Sequence, residues 1–169
     1  MYFKDFNIQD VSTEIGKILI IKLSDMLECL NPPFVDKERI EITCKIENNE
    51  EHIRVLIPHK TKEILDLLIE HDEIDSTIEV AYAHFNFQEY SDGNDRIEDV
   101  ITIITKIIQT PIELHTFYKG RKIIKRKPYF VNENGKKEPF QVSYRNILTM
   151  INPFLVLRKV VERGSFFNE

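Results

Sequence analysis

The chain has 169 residues, of which 42% are hydrophobic and 30% charged, and it carries a net charge of −5. That length suits one domain, 1–169, with a sizeable buried core, and no apolar run nears the roughly 20 residues that a bilayer crossing takes. The opening residues MYFKDFNIQD lack the basic-then-apolar pattern of a secretory signal, so a cytoplasmic protein without a membrane span is expected.

Charge is spread unevenly. Residues 1–100 hold 23 acidic against 10 basic side chains, a net of −13. Residues 101–169 hold 5 against 13, a net of +8. Such asymmetry bears on partners, provided that the fold keeps the two signs apart. Cys29 and Cys44 do not form a metal-type pair and are expected to be reduced thiols.

In chain order, the N-terminal residues read as a short strand or an arm. Ser12 or Thr13 then caps a helix running to Leu30, with Ile15, Leu19, Leu23, Met26, Leu27 and Leu30 at the spacing of one buried face. Gly16 weakens its first turn, and NPPF at Asn31–Phe34 stops it, because proline cannot continue the hydrogen-bonded ladder. Ile40, Ile42, Cys44 and Ile46, then Ile53, Val55 and Ile57, alternate with polar residues across the link ENNEE and predict a hairpin. TKEILDLLIEHD predicts a helix capped by Thr61, and STIEVAYAHFNFQEY one long strand.

A helix from about Asp95 to Pro111 follows, with Ile97, Val100, Ile101, Ile104 and Ile108 on one side. Its β-branched run leaves a strand as the alternative. Ile112–Tyr118, Arg121–Asn132 and Pro139–Tyr144 predict a three-stranded meander turning at Lys119-Gly120 and Asn134-Gly135. Ser143 and Asn152 would each cap a short helix. The second has Pro153 at its start, Arg158, Lys159 and Arg163 near its end, and Gly164 as its stop. The order predicts an α+β fold, a mainly antiparallel sheet with helices on one or both faces.

Chemistry is sparse. His52, His59, His71, His84 and His115 stand in no HxxxH or HExxH spacing, and GxxxxGK[ST], GxGxxG and GxSxG are absent. SDGND at Ser91–Asp95 fails as a calcium loop, since the twelfth position from Asp92 is Ile103 and not a glutamate. No catalytic residue, metal or cofactor is therefore expected. His84 and His115 lie on predicted strands and would make a site only if the fold brought them together beside a carboxylate.

Two charged regions remain. FYKGRKIIKRKPYFVNENGKKE carries Lys119, Arg121, Lys122, Lys125, Arg126 and Lys127 among aromatic residues, which suits phosphate contacts and base stacking in a nucleic-acid-binding module. Against that, strand alternation splits Lys125 and Lys127 from Arg126, and edge lysines also guard against aberrant pairing. The acidic counterpart is Glu70, Asp72, Glu73 and Asp75 in EHDEID with Glu89, Asp92, Asp95, Glu98 and Asp99 in EYSDGNDRIED. If these loops meet, they form one negative rim that attracts a basic protein partner and repels nucleic acid.

The isoleucine-rich DRIEDVITIITKIIQ, followed by the hairpin IELHTFYKGRKIIKRKPYF in a small acidic chain, resembles the single-domain immunity proteins of bacterial polymorphic-toxin and contact-dependent growth inhibition systems. The resemblance implies a cytosolic, non-catalytic protein that binds a cognate toxin, often a basic nuclease, and covers its active site or substrate groove. It carries over no particular residue.

Overall fold

A computed structural model describes residues 2–4, 6–88, 92–140 and 157–167. Its described elements form an α+β fold of two helices and two antiparallel sheets. The N-terminus is an arm: Tyr2 and Phe3 are buried, and among its described residues the regular piece is one 3-10 turn, Ile8–Asp10.

Helix α1 spans Glu14–Leu30. Thr13 caps it by accepting the Gly16 N–H, and Asn31, in the left-handed region at φ 43°, releases the chain into Pro32. Leu19, Leu23 and Leu27 make the buried stripe. Gly16 has a tertiary reason to be glycine: a Cβ there would run into the Ile53 side chain and lie 2.8 Å from Val11 Cγ1. Gly16→Ala is expected to lower stability by about 2 kcal/mol through overpacking, despite alanine's better helix propensity. Urea denaturation checks this, and an unchanged midpoint would show that Ile53 yields without cost.

The first sheet has the order β1-β2-β3-β4-β5, with β1 at Glu41–Glu47, β2 at Glu50–Ile57, β3 at Leu67–His71, β4 at Ser76–Val80 and β5 at Ala83–Asn86. The expected hairpin is β1–β2, turned by Asn48 and Asn49 at φ 53° and 68°, as a two-residue primed turn requires. Ile53, Val55, Ile57, Ile69, Ile78 and Phe85 face the helices, while Arg54, Glu70, Glu79 and His84 stand on the outer face.

Two expectations fail in this sheet. TKEILDLLIEHD is not a helix: it makes a 3-10 turn, Glu63–Leu65, and then strand β3 in the centre of the sheet. Thr61 caps nothing here, since the residue before the turn is Lys62, which makes no side-chain cap bond. Leu67, Ile69 and His71 fit a period of two as well as Ile64, Leu65, Leu67 and Leu68 fit a helical face, and the unpaired edges of β2 and β4 decide for the strand. STIEVAYAHFNFQEY is not one strand but a hairpin, β4–β5, turning at Ala81 and Tyr82 with φ 50° and 62°. A two-residue turn pairs residues of opposite parity, so Ile78 and Val80 meet Phe85 and Ala83 on one face. The expected single strand is thus a hairpin whose apolar residues gather on one face.

Helix α2, Gly93–Gln109, is the expected helix and not the strand alternative; Asp92 caps it by accepting the Asn94 N–H. Its isoleucines Ile97, Ile104, Ile107 and Ile108 are buried, so packing supplies what β-branched residues lose in propensity.

The second sheet has the order β8-β7-β6-β9, with β6 at Ile112–Lys119, β7 at Lys122–Val131, β8 at Lys137–Pro139 and β9 at Leu157–Gly164. Gly120 and Gly135, at φ 61° and 71°, sit at the two expected turns. The helix expected to end in Arg158, Lys159 and Arg163 is overturned. Those residues belong to β9, paired along the whole of β6, whose apolar stretch needs a neighbour on that side. The Ser143 cap, the Asn152 cap and the strand beyond Phe140 lie outside the described residues. Ile112, Phe130, Phe140 and Phe166 anchor this sheet in the same core as Phe85 and α2. Its far end, from Gly120 to Lys122, projects into solvent.

Candidate functional site

The acidic residues separate into a rim and two outliers. Asp72, Glu73 and Asp75 form the β3–β4 turn, in which the Asp72 carboxylate accepts the N–H groups of Ile74 at 2.9 Å and Asp75 at 2.7 Å. Asp92 and Asp95 occupy the cap and first turn of α2, and Glu98 and Asp99 continue along that helix. Arg96 joins the two groups. Its Nη2 donates to the carbonyls of Asp72 and Glu73, each at 3.1 Å, so the β3–β4 turn is held against the start of α2. Gln88 adds a bond from Nε2 to Asp75 at 2.7 Å.

Glu70 stands apart on the outer face of β3, 3.8 Å from Arg54, and Glu98 pairs with Lys22 of α1 at 2.6 Å. Glu89 lies outside the described residues. At the apex of the turn Ile74 is 69% exposed, between Glu73 and Asp75. An exposed aliphatic side chain flanked along the turn by acidic residues suits an interface anchor with a charged surround.

Arg96 and Ile74 were not singled out by sequence. Arg96 had a signal: it is the one basic residue between Lys62 and Lys106. A lone cation in so acidic a stretch is held by the many acceptors around it. Ile74 had none, because exposure is decided by the turn.

Beneath the rim His71 is buried, with Nδ1 2.7 Å from the Ser76 hydroxyl. Burial first, and the Arg96 charge second, push its pKa down to about 4, so the ring is neutral near pH 7. A pocket of about 340 Å³ opens beside it on the outer face, between Lys45, Arg54, Glu70 and Asp72.

The basic residues divide as strand alternation requires. Lys125 and Lys127 share one face of the second sheet with Glu113, His115, Phe117 and Tyr129, while Arg126 lies on the other, its guanidinium 3.6 Å from the Tyr82 ring. Lys119, Arg121 and Lys122 surround the hairpin tip. β9 adds Lys159 and Arg163, expected on a helix, to the Lys125 face. Partial desolvation and then the adjacent Lys127 lower the pKa of Lys125. Glu113 is the counter-charge there: Lys137 at 2.7 Å and His115 at 3.0 Å hold its carboxyl below the ordinary range.

His84 and His115 do not form one site. His84 pairs with Glu79 at 2.7 Å on the first sheet and His115 with Glu113 on the second. Among the described residues no group of His, Cys, Asp and Glu has the arrangement of a metal site. No described helix is long and apolar enough to cross a membrane. No protein family, curated protein or solved structure matches the chain.

Proposed function

We propose that this chain is a non-catalytic binding protein that neutralises a basic protein, in the manner of a bacterial immunity protein covering the phosphate-handling groove of a cognate nuclease toxin. One observation supports the reading: Arg96 binds the β3–β4 turn, with exposed Ile74 at its apex, to the start of α2, so that acidic residues distant in sequence lie on adjoining elements. Carboxylates there take the place of substrate phosphates and speed encounter, and Ile74 lengthens residence.

The test is rescue of toxicity. The C-terminal region of the neighbouring upstream gene product is expressed with and without this chain. Growth arrest relieved by co-expression, with a complex that co-purifies, supports the reading, and arrest without rescue removes it. Asp72 and Asp92 also build local turns, so charge reversal is cleanest at Glu73 and Asp95. Glu73→Lys with Asp95→Lys is expected to slow association with that toxin roughly tenfold at low salt, and far less at high salt. Stopped-flow measurement at two ionic strengths checks this, and an unchanged rate would rule out the rim.

A second reading has one observation in its favour: Lys125, Lys127, Lys159 and Arg163 share a face with Phe117 and Tyr129. That face suits a single-stranded nucleic acid, with phosphates on the cations and bases on the rings. Anisotropy titration of a labelled oligonucleotide separates the readings: binding that weakens steeply with salt and with Lys127→Glu favours this one.

A further inference from the structure

Strand β1 is the free edge of the first sheet: it pairs with β2 on one side and with no strand on the other among the described residues. Two of the usual protections of an edge are missing, and the charges that β1 does carry, Glu41, Lys45 and Glu47, are of both signs. The register with β2 is continuous, without a bulge, and β1 holds no proline. Its inward face carries no charge, only Ile42, Cys44 and Ile46, and Ile46 is 69% exposed.

The nine residues Arg39–Glu47, RIEITCKIE, read as a palindrome of hydropathy about Thr43 in which each charge is mirrored by its opposite. We infer that β1 pairs antiparallel with β1 of a second copy about a two-fold axis at Thr43, making one continuous ten-stranded sheet. In that register Arg39 faces Glu47 of the second copy and Glu41 faces its Lys45, while Ile40 faces Ile46 and Ile42 faces Cys44. Each pair occurs twice, and every charge meets its opposite. The neighbouring registers fail. Centring on Cys44 sets Glu41 against Glu47, centring on Ile42 sets Arg39 against Lys45, and centring on Lys45 sets that residue against itself.

The backbone agrees. A hairpin closed by a two-residue turn makes its flanking pair, Glu47 and Glu50, hydrogen-bonded. Alternation then turns the amide and carbonyl groups of Ile42, Cys44 and Ile46 to the free edge, where Ile42 and Cys44 of the second copy exchange bonds. A groove of about 550 Å³ lies between the N-terminal arm and the start of β1, lined by Tyr2, Phe6, Ile40 and Ile42. It receives Ile46 of the second copy, which covers the most exposed apolar side chain of the strand. Arg39 is otherwise only 3.9 Å from Asp36, an exposed contact that pairing does not need to break.

Sedimentation velocity of the full chain over a concentration series tests the pairing. A species of twice the 20.0 kDa monomer is expected, with a dissociation constant in roughly the micromolar range for so narrow an interface. Lys45→Glu puts like charges together twice and should weaken it at least about tenfold. Glu41→Lys combined with Lys45→Glu restores opposite charges and should restore the dimer, which excludes misfolding as the cause. Thr43→Cys, with Cys29→Ser and Cys44→Ser, should cross-link on mild oxidation, since non-hydrogen-bonded partners stand about 4.5 Å apart at Cα. A monomer throughout, a dimer indifferent to Lys45→Glu, or one that the charge swap does not restore would overturn the inference.

Discussion

Glu51→Ala is expected to cost about 3 kcal/mol of stability, because it removes the acceptor for four donors at once. Glu51 is buried on β2, on the face turned to the helices. Its carboxylate accepts the Ser12 N–H at 2.6 Å, the Ser12 hydroxyl at 2.8 Å, the Thr13 N–H at 3.0 Å and the Thr13 hydroxyl. Thr13 in turn accepts the Gly16 N–H. A side chain 38 residues away thus completes the cap of α1 and fixes where the helix meets the sheet. The negative charge also lies at the positive end of the helix dipole.

The bond pattern has a consequence for pH. Burial by itself would raise the pKa of Glu51, but the bonds from Thr13 and Ser12 outweigh it and leave the carboxyl below its ordinary value. A depressed folded pKa contributes stability above the unfolded pKa and loses it as pH falls through the folded one. Urea unfolding of wild type and Glu51→Gln, from neutral pH into the acid range below 4, checks both parts. The variant should be weaker at neutral pH, and the difference should shrink as Glu51 is protonated. A constant difference would mean that the amide's shape, not the charge, matters.

His71 gives the second large effect, at milder acidity. Its pKa is about 4 in the folded chain against about 6.5 unfolded. Between those values the unfolded chain binds more protons, so stability is complete above about pH 6.5 and falls as pH drops toward 4. The total is about 3 kcal/mol, from about 1.4 kcal/mol per pKa unit. His71→Gln keeps an acceptor near Ser76 and should flatten this part of the profile. Proton NMR titration of the ring reads the same pKa directly, and a value near 6.5 would remove the effect. Because His71 ends the strand that leads into Asp72, its protonation should loosen the rim first.

The sequence alone determined the elements whose signals are local. Thr13 and Asn31 bracket α1, the alternation around ENNEE makes β1 and β2, and isoleucines at helical spacing with Pro111 after them define α2. The separation of charge was legible too, since the acidic first hundred residues contain the whole first sheet and the basic remainder contains the second. Only the tertiary structure decided Leu67–His71 and Leu157–Gly164. Each reads as helix on its own and becomes strand because a neighbouring strand has an edge to fill. The turn at Ala81-Tyr82 needed the fold as well, having no glycine or asparagine to announce its positive φ values. The acidic rim belongs with these. Its carboxylates were plain in the chain, but their joining depends on Arg96 reaching two backbone carbonyls more than twenty residues away. Propensity and alternation act over a few residues, whereas strand pairing and such long-range bonds are settled by which surfaces the whole chain brings into contact.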